Sequence, residues 1–311
     1  MKSMINRTHI EGFLYEHALE LRTSGPNSKN PGTEFIMGTV SIATDDAQIN
    51  IVPVHFTYVT ATTAKGSANA TFGVLKDIID GKLATVMSGA ENAAKLRIDS
   101  AIGLNEFYAD RNGKEELVSA KRNEGGFVHT CAQLAEDEKT RNTFEVDIVI
   151  TNVKRIEADE EKKTPEKCIV KGAIFDFRKS LMPIELSVLN ENAMAYFEGL
   201  EASSKNPVFT KVKGRQVSET VTRTITEESA FGEASVREVK SSRKDFVITW
   251  AQKEPYVWDD EETITAAEMT DAMSARQTYL ATVKQRQDEY KASKGAGTAT
   301  NKPAAEGGYD F

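Results

Sequence analysis

Cysteine is nearly absent: Cys131 and Cys168 are the two in 311 residues. They stand far apart and match no metal or redox spacing. That excludes a disulfide framework and fits a reducing cytoplasm. Histidine is almost as scarce. His9, His17, His55 and His129 are scattered, with no two at metal-ligand spacing, so neither metal nor cofactor is expected. The phosphate-cradling glycine loop, His-Glu-x-x-His, Gly-x-Ser-x-Gly and paired Cys-x-x-Cys are all missing. Their absence argues against the common enzyme classes. Catalytic carboxylates dispersed along the chain stay open. No apolar run approaches the roughly 18–20 residues of a membrane span. Met1 to Ile10 lacks the apolar run and small-residue cleavage site of a secretory leader. A positive excess is missing too, because the net charge is −8. Residues 251–311 carry seven Lys/Arg against eleven Asp/Glu, and the first 250 residues are also net acidic. Any basic surface must therefore be local.

What the chain does contain is strand pattern. Phe35 to Thr44 and Ile49 to Thr60 are rich in β-branched and aromatic residues, with Asp45-Asp46 between them, which predicts a hairpin. Phe72, Leu75, Ile78 and Ile79 fall at helical spacing before Gly81. Ala93 to Tyr108 and Glu116 to Thr130 read as strands, with turns at Asn112-Gly113 and Gly125-Gly126. A second block repeats this plan. Phe144, Val146, Ile148 and Ile150 alternate along one strand face, and Cys168 to Phe177 with Met182 to Leu189 forms a second hairpin. Ala193, Tyr196, Phe197 and Leu200 suggest a short helix; Val208 to Val217, Glu219 to Thr226 and Asp245 to Trp250 are strands again.

After Trp250 the character changes. Asp259 to Glu262 reads as a solvated acidic linker rather than a cation site. Thr265 and Glu268 form a capping-box pattern. Met269, Ala272, Met273, Tyr279, Leu280, Val283 and Tyr290 then recur at helical spacing, expected to pack as a stripe on the body. Self-association through that helix is the alternative, so a homo-oligomer stays open. The expected division is a β-rich block over 1–135, a second over 142–252, linker and helix over 253–294, and a flexible small-residue tail over 295–311.

The informative residues are cations and rings sharing a strand face. Along one face of Val208 to Arg215 run Phe209, Lys211, Lys213 and Arg215. Along Lys171 to Lys179 run Lys171, Phe175, Phe177 and Lys179, and Lys121-Arg122 precedes Phe127 in a loop or hairpin turn. Single-stranded nucleic acid wants this pairing, because bases stack on rings while Lys and Arg neutralise phosphates. The competing reading puts Phe175 and Phe177 in the core, with the lysines snorkelling from strand ends.

Short strands, an intervening helix and aromatic-plus-basic faces are compatible with OB-like barrels. Together with a tail carrying Glu306 and ending Tyr309-Asp310-Phe311, the layout resembles bacterial and phage single-stranded DNA-binding proteins. The resemblance implies a mainly β fold, either one OB-like barrel or two related β-barrel blocks, with a long C-terminal helix and flexible tail. It also implies a non-enzymatic, cytoplasmic role in replication or recombination in a bacterial host cell. In that family an acidic tail with a terminal Phe recruits partner proteins, although this tail has only two acids in its last ten residues. Two other readings remain: a phage structural or assembly protein without nucleic-acid binding, and a nucleic-acid enzyme with dispersed carboxylates.

Overall fold

The computed structural model describes residues 4–89, 92–159, 165–227, 235–258 and 264–295. In chain order the elements are β1 (Asn6–Thr23), β2 (Glu34–Ala43), β3 (Ile51–Thr60), α1 (Ala70–Ile79), β4 (Lys95–Arg111) and β5 (Lys114–Thr130). Then come β6 (Asn142–Ile156), β7 (Lys167–Phe175), β8 (Leu181–Val188), α2 (Glu191–Gly199), β9 (Val208–Glu227), β10 (Ser235–Ala251) and α3 (Ala266–Gly295). The protein is mainly β with a long C-terminal helix. Among the described residues no helix is long and apolar enough to cross a membrane.

The strand pairings close two rings. The first runs β1-β2-β3-β5-β4 and back to β1, with β3 and β5 parallel and α1 between β3 and β4. The second runs β6-β7-β8-β10-β9 and back to β6, with β8 and β10 parallel and α2 between β8 and β9. Order, direction and helix placement repeat, and each ring is a five-stranded OB-like barrel. Each fills with the inward half of its alternating strands. Ile10, Leu14, Val40, Phe56 and Ile98 meet Leu75 and Ile78 of α1 in the first. Phe144, Ile148, Ile174, Leu186 and Val212 meet Met194 and Phe197 of α2 in the second.

The sequence reading missed β1, the strand on which the assembly depends. Its outward Arg7, His9 and Glu11 look polar, and Gly12 interrupts the inward series Thr8, Ile10 and Leu14. β1 pairs with β4 along one edge. Its other edge pairs first with β6 and then with β2, so it belongs to the first ring and joins it to the second.

Gly125-Gly126 is not the expected turn, and Lys121-Arg122 is not in a loop. All four lie inside β5, where the glycines form a bulge opposite Ser100. Gly126 has φ 114°, and a Cβ there would meet the Asp99 carbonyl oxygen at 2.3 Å, so both conformation and space exclude a side chain. Asn112-Gly113 does make the β4–β5 turn, with φ 56° and 77°, the left-handed pair that a tight hairpin requires.

α3 starts on the expected capping box: the Thr265 N–H donates to Glu268 Oε2 at 3.0 Å, and the Glu268 N–H donates to Thr265 Oγ1 at 3.1 Å. Its docking differs from the expected apolar stripe. Met269 and Ala272 do pack against the body, whereas Met273, Tyr279 and Tyr290 are exposed. Polar contacts hold the rest. Gln287 accepts from the Tyr108 backbone N–H at 2.8 Å and donates to the Tyr108 carbonyl. Lys284 and Lys291 both reach Glu115 on β5. Hydrogen bonds from these two lysines hold the Glu115 carboxyl at about 2. A folded pKa below the unfolded value makes this contact complete above the ordinary carboxylate range, and lost as pH falls towards about 2. Amide exchange over residues 284–291 should therefore accelerate with acid in that window beyond its intrinsic rate. Glu115→Gln should abolish that pH dependence.

Candidate nucleic-acid interface

Residues paired across a sheet project from the same face, so the register shows which side chains meet. One row runs Phe127 on β5, Asp99 on β4, His9 on β1, Thr143 on β6 and Arg215 on β9. The next runs Arg7 on β1, Glu145 on β6, Lys213 on β9 and Trp250 on β10. Their chain neighbours Ile10, Ile98, Val128, Phe144 and Val212 turn into the two cores. The rows form one outward face that crosses the junction between the rings. At about 4.8 Å per strand, the span from β5 to β10 is about 24 Å.

A groove of about 830 Å³ runs along this face, its charged wall made of Arg7, Lys139, Lys213 and Arg215 with Asp99 and Glu145. Gly214 lies in its floor. An added Cβ there would fall 2.1 Å from the Val247 carbonyl oxygen and 2.5 Å from the Phe144 ring, so only glycine lets β9 and β10 close over that ring. Glu145 is shared by three cations: Arg7 at 2.5 Å, Lys211 at 3.7 Å and Lys213 at 3.9 Å. Burial pushes its carboxyl up, but the Arg7 hydrogen bond and the charges of Arg7, Lys213 and Lys211 outweigh that and hold it below the usual range. One carboxylate among three cations leaves positive charge over. His9 Nδ1 lies 2.8 Å from Asp99 Oδ1, and its Nε2 lies 3.5 Å from Glu11.

Each end of the face carries an exposed ring beside a bulge. Phe127, 69% exposed, follows the Gly125-Gly126 bulge. Trp250, 47% exposed, follows a register shift in β10, and Lys213 Nζ stands 5.1 Å from its ring centroid.

Of the residues singled out from sequence, the fold brings Phe127, Lys211, Lys213 and Arg215 onto this face. Phe209 and Phe175 are corrected. They are 2% and 0% exposed, packed with Val149 and Leu181 under Tyr256, Trp258 and Met269, which return over that side of the second ring. The Phe209 ring is 4.6 Å from that of Tyr256 and 6.0 Å from that of Trp258. Neither phenylalanine can stack on a base.

Lys121 lies 5.4 Å from the Phe246 ring and donates to the Glu185 carbonyl at 2.5 Å; burial lowers its pKa. Arg122 pairs with Glu124 at 2.8 Å, and Lys171 with Glu185 at 2.5 Å. Phe177, 88% exposed, sits in the β7–β8 turn with the Arg178 guanidinium 5.0 Å from its ring centroid. Lys179 occupies the same turn at φ 64°, outside the groove lining. Tyr309, Asp310 and Phe311 lie outside the described residues. Sequence reasoning missed Arg7, His9, Lys139 and Trp250. The alternation of Arg7, His9 and Glu11 was the signal for the first two.

Fold and face together define a protein of two OB-like rings with a cationic groove across their junction. Residues 5–286 match the family model described as YorF, and the chain belongs to the YorF family. None of the curated proteins compared matches it. Among solved structures it is similar to an internally deleted, singly substituted form of the single-stranded DNA-binding protein from Thermus aquaticus. That match has a TM-score of 0.44 and 10% identity, covering 84% of this chain and 100% of that one.

Proposed function

We propose that this protein binds single-stranded DNA non-enzymatically and with little sequence preference, in replication or recombination. The strand would lie across β1, β6, β9 and β10. One observation carries the reading. On a chain of net charge −8, four cations converge in a single groove between two exposed rings. Lys and Arg at that spacing neutralise a flexible phosphate backbone, and rings at either end offer π faces for unpaired bases. The acidic remainder of the surface repels a polyanion, which concentrates attraction in the groove. In this reading Tyr309-Asp310-Phe311 would recruit partner proteins rather than touch DNA.

The test is a fluorescence-anisotropy titration of labelled oligo-dT with the full chain at two salt concentrations. If Arg7, Lys139, Lys213 and Arg215 each displace a counterion, affinity falls by about 50-fold between about 50 and about 200 mM salt. No anisotropy change at the lower salt would remove the proposal.

A further inference from the structure

Arg215 also lines a second, smaller cavity, of about 310 Å³, where the two rings meet. The β2–β3 turn contributes Asp45 and Asn50, the short turn before β6 contributes Glu138, and β6 and β9 contribute Asn142 and Gln216. The lining is amide and carboxylate, with Ile49 and Val217 its apolar members. The cavity adjoins the groove: Thr143 and Gly214 line the groove, and their chain neighbours Asn142 and Arg215 line the cavity.

Several of these groups hold one another. Asp45 accepts from the backbone N–H groups of Ile49 at 3.0 Å and Asn50 at 2.8 Å. Gln216 exchanges two hydrogen bonds with Asn123, at 2.7 and 2.9 Å. Asn142 Nδ2 donates to the Gln216 carbonyl at 2.7 Å. The other end of Asn142 differs. The residue is 3% exposed, and its Oδ1 has no hydrogen-bond partner among the described residues. A buried acceptor left bare keeps its full desolvation cost, so an N–H donor is the chemistry that fits it. Glu138, which accepts from the Asp46 N–H at 2.7 Å, adds a carboxylate to the same wall.

We infer that this cavity receives one nucleobase turned out of the strand in the groove, and that it favours bases with an exocyclic amine. The inference rests on the proposed groove. Arg215, on the boundary, holds a phosphate while the attached base turns towards Asn142, Asp45 and Glu138. The amines of cytosine, adenine and guanine donate to such acceptors. Thymine and uracil present a carbonyl oxygen where cytosine carries its amine, and that oxygen faces the carboxylates unfavourably. The volume is at the small end of ligand pockets, which suits one base. A base can enter only when it is unpaired or flipped. Binding would thus be sequence-tolerant along the groove and selective at one position.

The experiment compares oligo-dC, oligo-dU and oligo-dT of equal length on the full chain at one low salt concentration. Oligo-dU separates loss of the thymine methyl from gain of the amine. Oligo-dC is expected to bind at least about fivefold tighter than either of the others. Glu138→Gln, which replaces an acceptor oxygen by a donor, should bring the ratio towards unity. Ile49→Trp, from a rim residue 58% exposed, should do the same by filling the cavity. Equal affinities for all three oligonucleotides would overturn the inference and leave the groove standing. So would a dC preference that persists in both variants. No binding by any of them would overturn the groove itself, and the cavity with it.

Discussion

Replacing Arg7, Lys213 and Arg215 together by glutamine is expected to weaken oligo-dT binding by about a hundredfold at low salt. The figure assigns each exposed charge about 1 kcal/mol, the upper end for solvent-accessible pairs. The salt dependence should change as well. Three fewer phosphate contacts lower the slope of log affinity against log salt by about 2, so the difference between variant and unmodified protein narrows as salt rises. Glutamine keeps the side chains long and polar. Glu145, with a side chain 13% exposed, loses two of its three cations and keeps Lys211 at 3.7 Å, so a circular-dichroism melt must accompany the titration. Trp250→Ala separates the two contributions. Losing a stacking platform removes about 1–3 kcal/mol per base at every salt concentration, and it leaves the slope alone. A triple variant that binds like the unmodified chain would show that DNA, if bound, lies elsewhere.

Much of the local structure was legible because it follows from neighbours in the chain. The alternation of Phe144, Val146, Ile148 and Ile150 marks β6, Asn112-Gly113 marks a hairpin turn, and Thr265 with Glu268 marks the start of α3. The cationic ribbon of Lys211, Lys213 and Arg215 follows from the same period of two. The partners of that ribbon were not legible. Arg7 meets Glu145 across 138 positions, through a strand whose first outward residues, Arg7, His9 and Glu11, are polar and whose inward series passes through Gly12. Phe127 joins the face through a bulge that reads, in one dimension, as a turn. Period two also assigns Phe209 to the same side as Lys211. It does not reveal that Tyr256, Trp258 and Met269 return to cover one end of that side and leave the other open.

The contact that secures this return is the second place where a large effect is expected. Arg276 of α3 pairs with Glu106 of β4 at 2.5 Å and donates to the Leu181 carbonyl of β8 at 3.2 Å, so one guanidinium ties the helix to both rings. The Glu106 side chain is 2% exposed and that of Arg276 12%. Arg276→Ala leaves a carboxylate buried without its cation, which costs about 3–5 kcal/mol, a large share of the roughly 5–15 kcal/mol that holds a domain folded. The loss is local first, because the ring cores contain neither residue. Amide exchange should rise across α3 before it rises in β6 or β1, and the thermal midpoint should drop. Removing both charges in Glu106→Gln with Arg276→Met should recover most of the loss. Nothing ionised is then left buried, and the amide oxygen of the substituted side chain can still accept the hydrogen bond that Ser119 now gives Glu106 at 2.8 Å. A double variant as unstable as the single one would assign the cost to lost packing. A single variant with unchanged exchange would mean that Met269, Ala272 and the Gln287 clamp on Tyr108 hold the helix without the ion pair.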